Sequence, residues 1–347
     1  MIRFATIGTN FVTGWMLEAA RSCPELHYAA VYSRSAEKAR EFASRHGAEA
    51  IHTDLDALAD DPGVDAVYIA SPNCMHFEQA ARMLAHGKHV LCEKTITSNR
   101  HELARLLEIA AENRVILLEA MRSVFDPGFR AIEENLHKLG KIRRASFQYC
   151  QYSSRYDKFK AGIVENAFNP ALSNGSLMDI GVYCVHPLVK LFGRPDRIVA
   201  DAVFLDNGVD GAGTILGSWK CGMQSELLYS KITNSRIPSQ IQGEAGSMII
   251  REIANPHEVT IIRNDGTSEC VYSRADKSSN NMVYELREWC RLIREGNGEN
   301  PHNRASLLEL EVMDEARRLT GIRFPADEAW KECSRPQVFR SFPQNGD

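Results

Sequence analysis

The sequence predicts two joined domains, a doubly wound α/β domain over residues 1–121 and an α+β domain with a mainly antiparallel sheet over 122–347. Three observations predict this. Up to about residue 120, short apolar runs alternate with helical patterns, and the runs lack polar alternation, as strands of a parallel sheet covered on both faces require. Beyond Arg122 the strand-like segments are separated by turn dipeptides instead of helices. The chain has 347 residues, which suits two domains better than one.

The first strand is the apolar run 2–7, ending at Gly8. A helix starts near Thr13 and carries Trp15, Leu17 and Ala20. Strands follow at 27–32, 49–52, 66–70, 89–92 and 115–119, with helices at 36–46, 75–86 and 99–113 between them. In the last helix Leu103, Leu106, Leu107 and Ala110 fall at i, i+3, i+4 and i+7, and Asn99 with Glu102 resembles a capping box. In the second domain, residues 129–139 read as a helix and 144–152 as a half-exposed strand. The stretch 153–174 is a polar loop placed to line a pocket through Arg155, Tyr156, Lys158, Lys160, Asn166 and Asn169. An amphipathic helix is expected over 175–191. Strands broken by Asn207-Gly208, Asp210-Gly211 and Asp265-Gly266 fill 197–273, helices return at 282–295 and 304–320, and the last dozen residues form an extended tail. Trp15 and Trp219 read as core or interface aromatics.

A formal net charge of -4, with Lys and Arg scattered, gives no reason to expect nucleic acid or an anionic membrane as partner. No apolar run approaches the roughly 20 residues of a membrane helix, and the N-terminus runs into a strand with no signal core. The nine cysteines are widely spread, without a CxxC pair, and read as reduced, buried thiols of a cytoplasmic protein. No spacing suggests a metal site: His86 and His89 have no further ligands nearby. Gly-x-Ser-x-Gly, His-Glu-x-x-His and Walker A patterns are absent.

Gly8-Thr9-Asn10-Phe11-Val12-Thr13 joins the first strand to the first helix. Backbone N–H groups at that helix N-terminus are where a dinucleotide pyrophosphate binds in a Rossmann fold. Only the first glycine of GxGxxG is present; Asn10 tolerates unusual backbone angles, and Thr13 is small enough for helix–strand contact. At the end of the second strand, Ser33-Arg34-Ser35 stands where an NAD enzyme has an acid for the ribose 2′-hydroxyl. Hydroxyls, a guanidinium and Lys38 one turn on suit a 2′-phosphate, so NADP is preferred and NAD remains possible.

Three further stretches stand in order: Ser71-Pro72-Asn73-Cys74-Met75-His76, Glu93-Lys94-Thr95, and the run from Asn174-Gly175 through Asp179-Ile180-Gly181-Val182-Tyr183. Together they resemble the Gfo/Idh/MocA family of oxidoreductases, over essentially the whole chain. Thr95 replaces the family's proline, which argues against the cis-like turn common there. Tyr183 replaces a histidine, as in the dihydrodiol dehydrogenase and xylose dehydrogenase branch. The resemblance implies that Tyr183 is the acid/base beside Lys94, that the second half is an open antiparallel sheet used to form a homodimer, and that the substrate is a polyhydroxylated small molecule: an aldose, a cyclic polyol or a dihydrodiol. It also places Asn73 and His76 toward the nicotinamide ribose and Glu93 and Lys94 toward the nicotinamide, with Ser71 and Arg122 among the cofactor-binding residues.

The chemistry agrees. A free tyrosine, with a pKa of about 10, is a poor base at neutral pH, and an adjacent ammonium favours its phenolate. Asp179 lies four residues before Tyr183 on one helix face, placed to bind a substrate hydroxyl or orient Lys94. His186 is the second acid/base candidate, and Arg122, at the domain junction, faces the cleft. The rival reading is a non-catalytic dinucleotide-sensing regulator on the same fold; a sensor has no need of an acid/base pair.

Overall fold

The computed structural model describes residues 1–276, 279–296, 298 and 300–328. The expected tail and Cys333 lie outside them.

The first half forms strands β1 (Ile2–Ile7), β2 (Leu26–Tyr32), β3 (Ala50–His52), β4 (Ala66–Ile69), β5 (His89–Glu93) and β6 (Leu117–Ala120). Helices α1 (Phe11–Ala20), α2 (Ala36–His46), α3 (Leu55–Ala59), α4 (His76–Ala85) and α5 (Arg100–Asn113) connect them. The strands are all parallel, in the order β3-β2-β1-β4-β5-β6. Side chains of β1 and β4 alternate between two cores: Phe4 and Tyr68 pack with α1 and α2, Ile7 and Ile69 with α4 and α5. Both faces are apolar, hence the unalternated runs. The strand order reverses between β1 and β4, so a crevice opens at their carboxyl ends.

The second half contributes α6 (Pro127–Asn135), β7 (Ile142–Cys150), α7 (Tyr156–Lys160), α8 (Val182–Phe192), β8 (Arg197–Phe204), β9 (Asp210–Ser218), β10 (Gln224–Ser230), β11 (Ser239–Gly243), β12 (Gly246–Arg251), β13 (Glu258–Arg263), β14 (Ser268–Ser273), α9 (Met282–Glu295) and α10 (Asn303–Thr320). Its eight strands form one sheet, β14-β13-β12-β11-β7-β10-β9-β8, antiparallel except where β7 meets β10. One face packs on α6, α8 and α10. The other stays open, with Val199, Val203, Leu216, Leu228 and Ile262 exposed on it.

The structure corrects several expectations. The short helix α3 was not anticipated, and α1 begins at Phe11, because Asn10 caps it. Residues 129–139 divide into α6 and a 3-10 turn (Leu136–Leu139). The stretch 175–191 is not amphipathic: a π-turn (Leu177–Gly181) leads into α8, whose residues are buried from Val182 to Val189 between the sheet and α10. In the Asn99 cap, Asn99 Oδ1 accepts from Glu102 N–H at 3.0 Å, but Glu102 returns its bond to Ser98 N–H at 2.9 Å, one residue early. Trp15 is exposed, its ring edge-on to the exposed Phe11. Of the eight described cysteines, Cys221 and Cys270 are exposed and Cys74 and Cys150 partly so.

Helices α9 and α10 return to the first domain. Met282, Leu286 and the fully buried Trp289 complete the core holding Phe4 and Tyr68, and Leu310 joins the core on the other face. No described helix is long and apolar enough to cross a membrane.

Candidate active site

The glycine turn follows from close approach. Gly8 has φ +116°, and a Cβ there would lie 2.8 Å from the Ala70 carbonyl oxygen. Asn10 is not there for backbone freedom: its φ of -89° and ψ of 179° are extended. Its Oδ1 accepts from Thr13 N–H at 3.0 Å, and its Nδ2 donates to the Ala70 carbonyl at 2.7 Å, pinning the α1 N-terminus to the end of β4. Thr13 is fully buried. The first turn of α1 has no acidic residue, which leaves its N–H groups suited to an anion. Asn10, Phe11 and Val12 line one end of an open cavity of about 590 Å³, whose other walls include Ser71, Asn73, Glu93, Lys94, Asn174 and Asp179.

At the end of β2, Ser33 Oγ accepts from Ser35 N–H at 3.3 Å and Ser35 Oγ caps α2. Arg34 and Lys38 are exposed and form no ion pair among the described residues. Asn73 Nδ2 reaches across the cleft to the Ser173 carbonyl at 3.1 Å. His76 is not at the cavity wall. It is fully buried, with Nε2 2.9 Å from the Ser71 carbonyl and Nδ1 3.1 Å from that of Thr95, so it braces two of the loops that line the cleft. Burial pushes its pKa down.

Lys94 and Thr95 are joined by a cis peptide bond, correcting the expectation drawn from the missing proline. Thr95 Oγ1 donates to the Met178 carbonyl at 2.8 Å. Lys94 Nζ donates to the Asp179 carbonyl at 2.6 Å and to Asp179 Oδ1 at 3.0 Å. The π-turn offering these carbonyls is held by Asp210, whose Oδ2 accepts from Leu177 N–H at 2.6 Å. Glycine is required at 175 because a Cβ there would collide with Asp210 Oδ1.

Lys94 Nζ stands 5.1 Å from the centre of the Tyr183 ring, and Arg122 Nε lies 3.5 Å from the Tyr183 hydroxyl. Arg122 is steadied by Asn281, which accepts from Nη1 at 2.7 Å. Burial opposes the Lys94 charge, but Asp179, with Tyr183 and Glu93, outweighs it and holds the ammonium's pKa above its usual value. Asp179 is held well below the usual carboxylate range because Lys94 and Lys231 more than offset burial. Glu93 accepts from the Tyr68 hydroxyl at 2.5 Å, and burial pushes its pKa up. The neighbouring Tyr149 ring meets Tyr183 edge-on at 5.6 Å; burial pushes the Tyr149 hydroxyl up to about 12.

Lys231 went unnoticed in the sequence, where one lysine after an apolar strand carries no signal. Its Nζ is 2.7 Å from Asp179 Oδ2. Of the loop residues singled out, Arg155 and Asn166 line the cavity. Tyr156 stacks on Phe159 and Phe168, Lys158 pairs with Glu165, Lys160 with Asp157, and Asn169 Oδ1 accepts from Ala171 N–H.

His186 is set apart from Tyr183. Its Nδ1 is 2.6 Å from Glu309 Oε2 and 3.6 Å from Glu119 Oε2, all three side chains being buried. Helical spacing placed it near the tyrosine, but it points toward α10 and β6. The trio's ligand-type atoms lie within 4.8 Å of one another, yet its oxygens are largely engaged: Glu119 also accepts from Ile96 N–H at 3.1 Å and Ser306 Oγ–H at 2.6 Å. Despite burial, the two carboxylates push His186 up to about 9, while burial and Glu119 push Glu309 up to about 8.

A parallel sheet with a glycine-turn anion cradle, opening on a lysine–tyrosine cleft supplied by a second domain, defines a nicotinamide-dependent oxidoreductase. Residues 2–121 match the oxidoreductase family with an NAD-binding Rossmann fold, and 131–249 match the GFO/IDH/MocA C-terminal domain. The chain belongs to the Gfo/Idh/MocA family. It is 47% identical to the scyllo-inositol 2-dehydrogenase (NADP(+)) IolU of Bacillus subtilis, over 95% of this chain and 100% of that one. It is 27% identical to the trans-1,2-dihydrobenzene-1,2-diol dehydrogenase of Mus musculus, over 94% and 99%. A 3-ketoreductase of Actinomadura kijaniata, solved with TDP-benzene and NADP, superposes with a TM-score of 0.79 at 25% identity, over 93% and 98%.

The buried trio generates a pH prediction. His186 is raised from 6.5 to about 9 and Glu309 from 4.5 to about 8, so the folded protein binds more protons than the unfolded chain between about pH 4.5 and 9. The His186 contribution is complete below pH 6.5 and is lost as pH rises through 9. Thermal unfolding measured from pH 6 to 9 is expected to show a falling Tm in the wild type and a shallower fall in His186→Leu.

Proposed function

We propose that this oxidoreductase interconverts a secondary alcohol and a ketone on a cyclic polyol of the inositol type, prefers NADP(H) to NAD(H), and uses Tyr183 to exchange the hydroxyl proton. The observation that carries this is the Lys94–Asp179–Tyr183 assembly: a lysine of one domain, held by a carboxylate four residues before a tyrosine of the other, in a cleft continuous with the glycine-turn cradle.

The Gly8–Val12 backbone and the open α1 N-terminus would hold the pyrophosphate, Ser33, Arg34 and Lys38 the 2′-phosphate, and Ser71, Asn73 and Glu93 would flank the nicotinamide half. When bound, the dinucleotide supplies the hydride chemistry. The protein's own residues manage the proton. As the alcohol is oxidised, the Tyr183 oxygen accepts the hydroxyl proton, and the positive charges of Lys94 and Arg122 stabilise the phenolate that does so. In reduction the same oxygen returns the proton. Tyr149, its hydroxyl pushed up to about 12 by burial, stays protonated near neutral pH. Arg155, Glu165, Asn166 and Asn174 offer the donors and acceptors a polyol ring needs. The preference for NADP is supported by Arg34 and Lys38, which form no ion pair among the described residues, by the lack of an acid in Ser33-Arg34-Ser35 at the end of β2, and by the NADP dependence of the 47% identical relative.

A homodimer through the open sheet face fits the row of exposed apolar side chains there. A cytoplasmic setting fits the eight described cysteines, all free thiols.

Three outcomes are expected. With scyllo-inositol as substrate, Tyr183→Phe lowers kcat by roughly two or more orders of magnitude while the Kd for NADPH stays within about twofold. Near-normal turnover would remove the proton role from Tyr183. In fluorescence titrations NADPH binds at least about tenfold more tightly than NADH, and Arg34→Asp erases that ratio; equal losses for both cofactors would overturn the assignment. In light scattering after gel filtration, Val203→Glu with Leu216→Glu converts dimer to monomer, and a wild-type monomer would refute the interface.

A further inference from the structure

The carboxylate of Asp179 is shared. Oδ1 takes Lys94 at 3.0 Å and Oδ2 takes Lys231 at 2.7 Å. Lys231 follows β10, is almost wholly buried, and comes from the second domain, whereas Lys94 comes from the first. Its Nζ also donates to the Ala167 carbonyl at 2.5 Å and lies 4.6 Å from the centre of the Phe168 ring. A lysine is rarely buried without a task, since its ordinary place is at the surface with its ammonium in water.

The charges explain what this second ammonium does. Lys94 and Asp179 alone would sum to zero, and a neutral pair beside Tyr183 offers little to a developing phenolate. With Lys231 on the other oxygen, the three groups carry a net positive charge in a partly buried site, where such charge acts more strongly than in bulk water. We propose that Lys231 is a positioning residue of the active site: by taking one oxygen of Asp179 it leaves the Lys94 charge uncancelled toward Tyr183. This rests on the proton role proposed for Tyr183.

The other charged and titratable groups facing this assembly do not replace Lys231. Arg122 approaches the Tyr183 hydroxyl from the domain junction, Glu93 faces Lys94 from β5, Tyr149 meets Tyr183 from β7, and Asp210 faces Lys231 from β9. Asp210 gives its Oδ2 to Leu177 N–H, and burial pushes its pKa up to about 7. Glu285, near Arg122, is buried and pushed well up, again by burial. Among the described residues, only Lys231 adds a cation to the Asp179 carboxylate beside Lys94.

Lys231→Gln keeps a donor for Asp179 and Ala167 but removes the charge. The expected result is an upward shift of at least about one pH unit in the pH at which oxidative kcat/KM reaches half its plateau, with the Kd for NADPH within about twofold. Lys231→Arg should retain the wild-type profile. Lys231→Gln combined with Asp179→Asn, which removes one charge of each sign, should move the profile back toward the wild type although kcat falls. Ultraviolet titration of tyrosinate reads the same shift without substrate, the Tyr183 step being assigned by its loss in Tyr183→Phe. An unshifted tyrosinate step in folded, NADPH-binding Lys231→Gln would overturn the proposal, as would a double variant shifted further than the single one. Should Lys231→Gln fail to bind NADPH, the arginine and double variants decide by the same titration. Absence of polyol turnover in the wild type would instead refute the proposed function, leaving the tyrosinate titration to judge Lys231.

Discussion

Asp179 sits between two ammonium groups that come from different domains, and the cleft is organised around it. Its side chain holds Lys94 and Lys231, its main-chain carbonyl holds Lys94 again, and the residue before it receives the Thr95 hydroxyl. Each of these contacts joins the end of β5 to the π-turn before α8, or the π-turn to the loop that follows β10. Removing the carboxylate would leave the buried Lys231 and the partly buried Lys94 without their shared counter-charge. The constraint is therefore structural and chemical together: the contact that joins the cleft's walls also places charge beside Tyr183.

The scaffold around this contact is stiff where it must be. The π-turn is fixed from below by Asp210, whose carboxylate occupies the space a Cβ at residue 175 would need. From the other side, Asn10 ties the α1 N-terminus to the end of β4, so the Gly8 turn and the lysine loop lie at the same end of the sheet. The far ends of the chain add to this. Trp289 closes a core of the first domain, and Glu309 of α10 meets His186 and Glu119 behind the cleft. The two halves are thus interlocked through α9 and α10 as well as meeting across the cleft.

Much of this was legible in the residues. The unalternated strands declared a parallel sheet, the Gly8 turn marked the junction of β1 and α1, and Lys94, Asp179 and Tyr183 were singled out by the resemblance of their motifs to those of the family. His76 and His186 were not placed correctly, because a histidine in a motif or at helical spacing gives no direction for its ring. His76 turned inward to brace two loops, and His186 turned to carboxylates 67 and 123 residues away in sequence (Glu119 and Glu309). Asn10 was assigned backbone tolerance when its work is capping, since only the observed dihedral separates the two.

The sequence by itself determined the class of fold and the order of the two domains, because hydrophobic period and turn chemistry are local properties. Tertiary structure alone decided which charge faces which. Lys231 lies 137 positions after Lys94, and their meeting on one carboxylate depends on how a sheet from the second half closes over the edge of the first. Burial made that meeting consequential, since charges removed from water act on one another with a strength that no reading of residue types supplies.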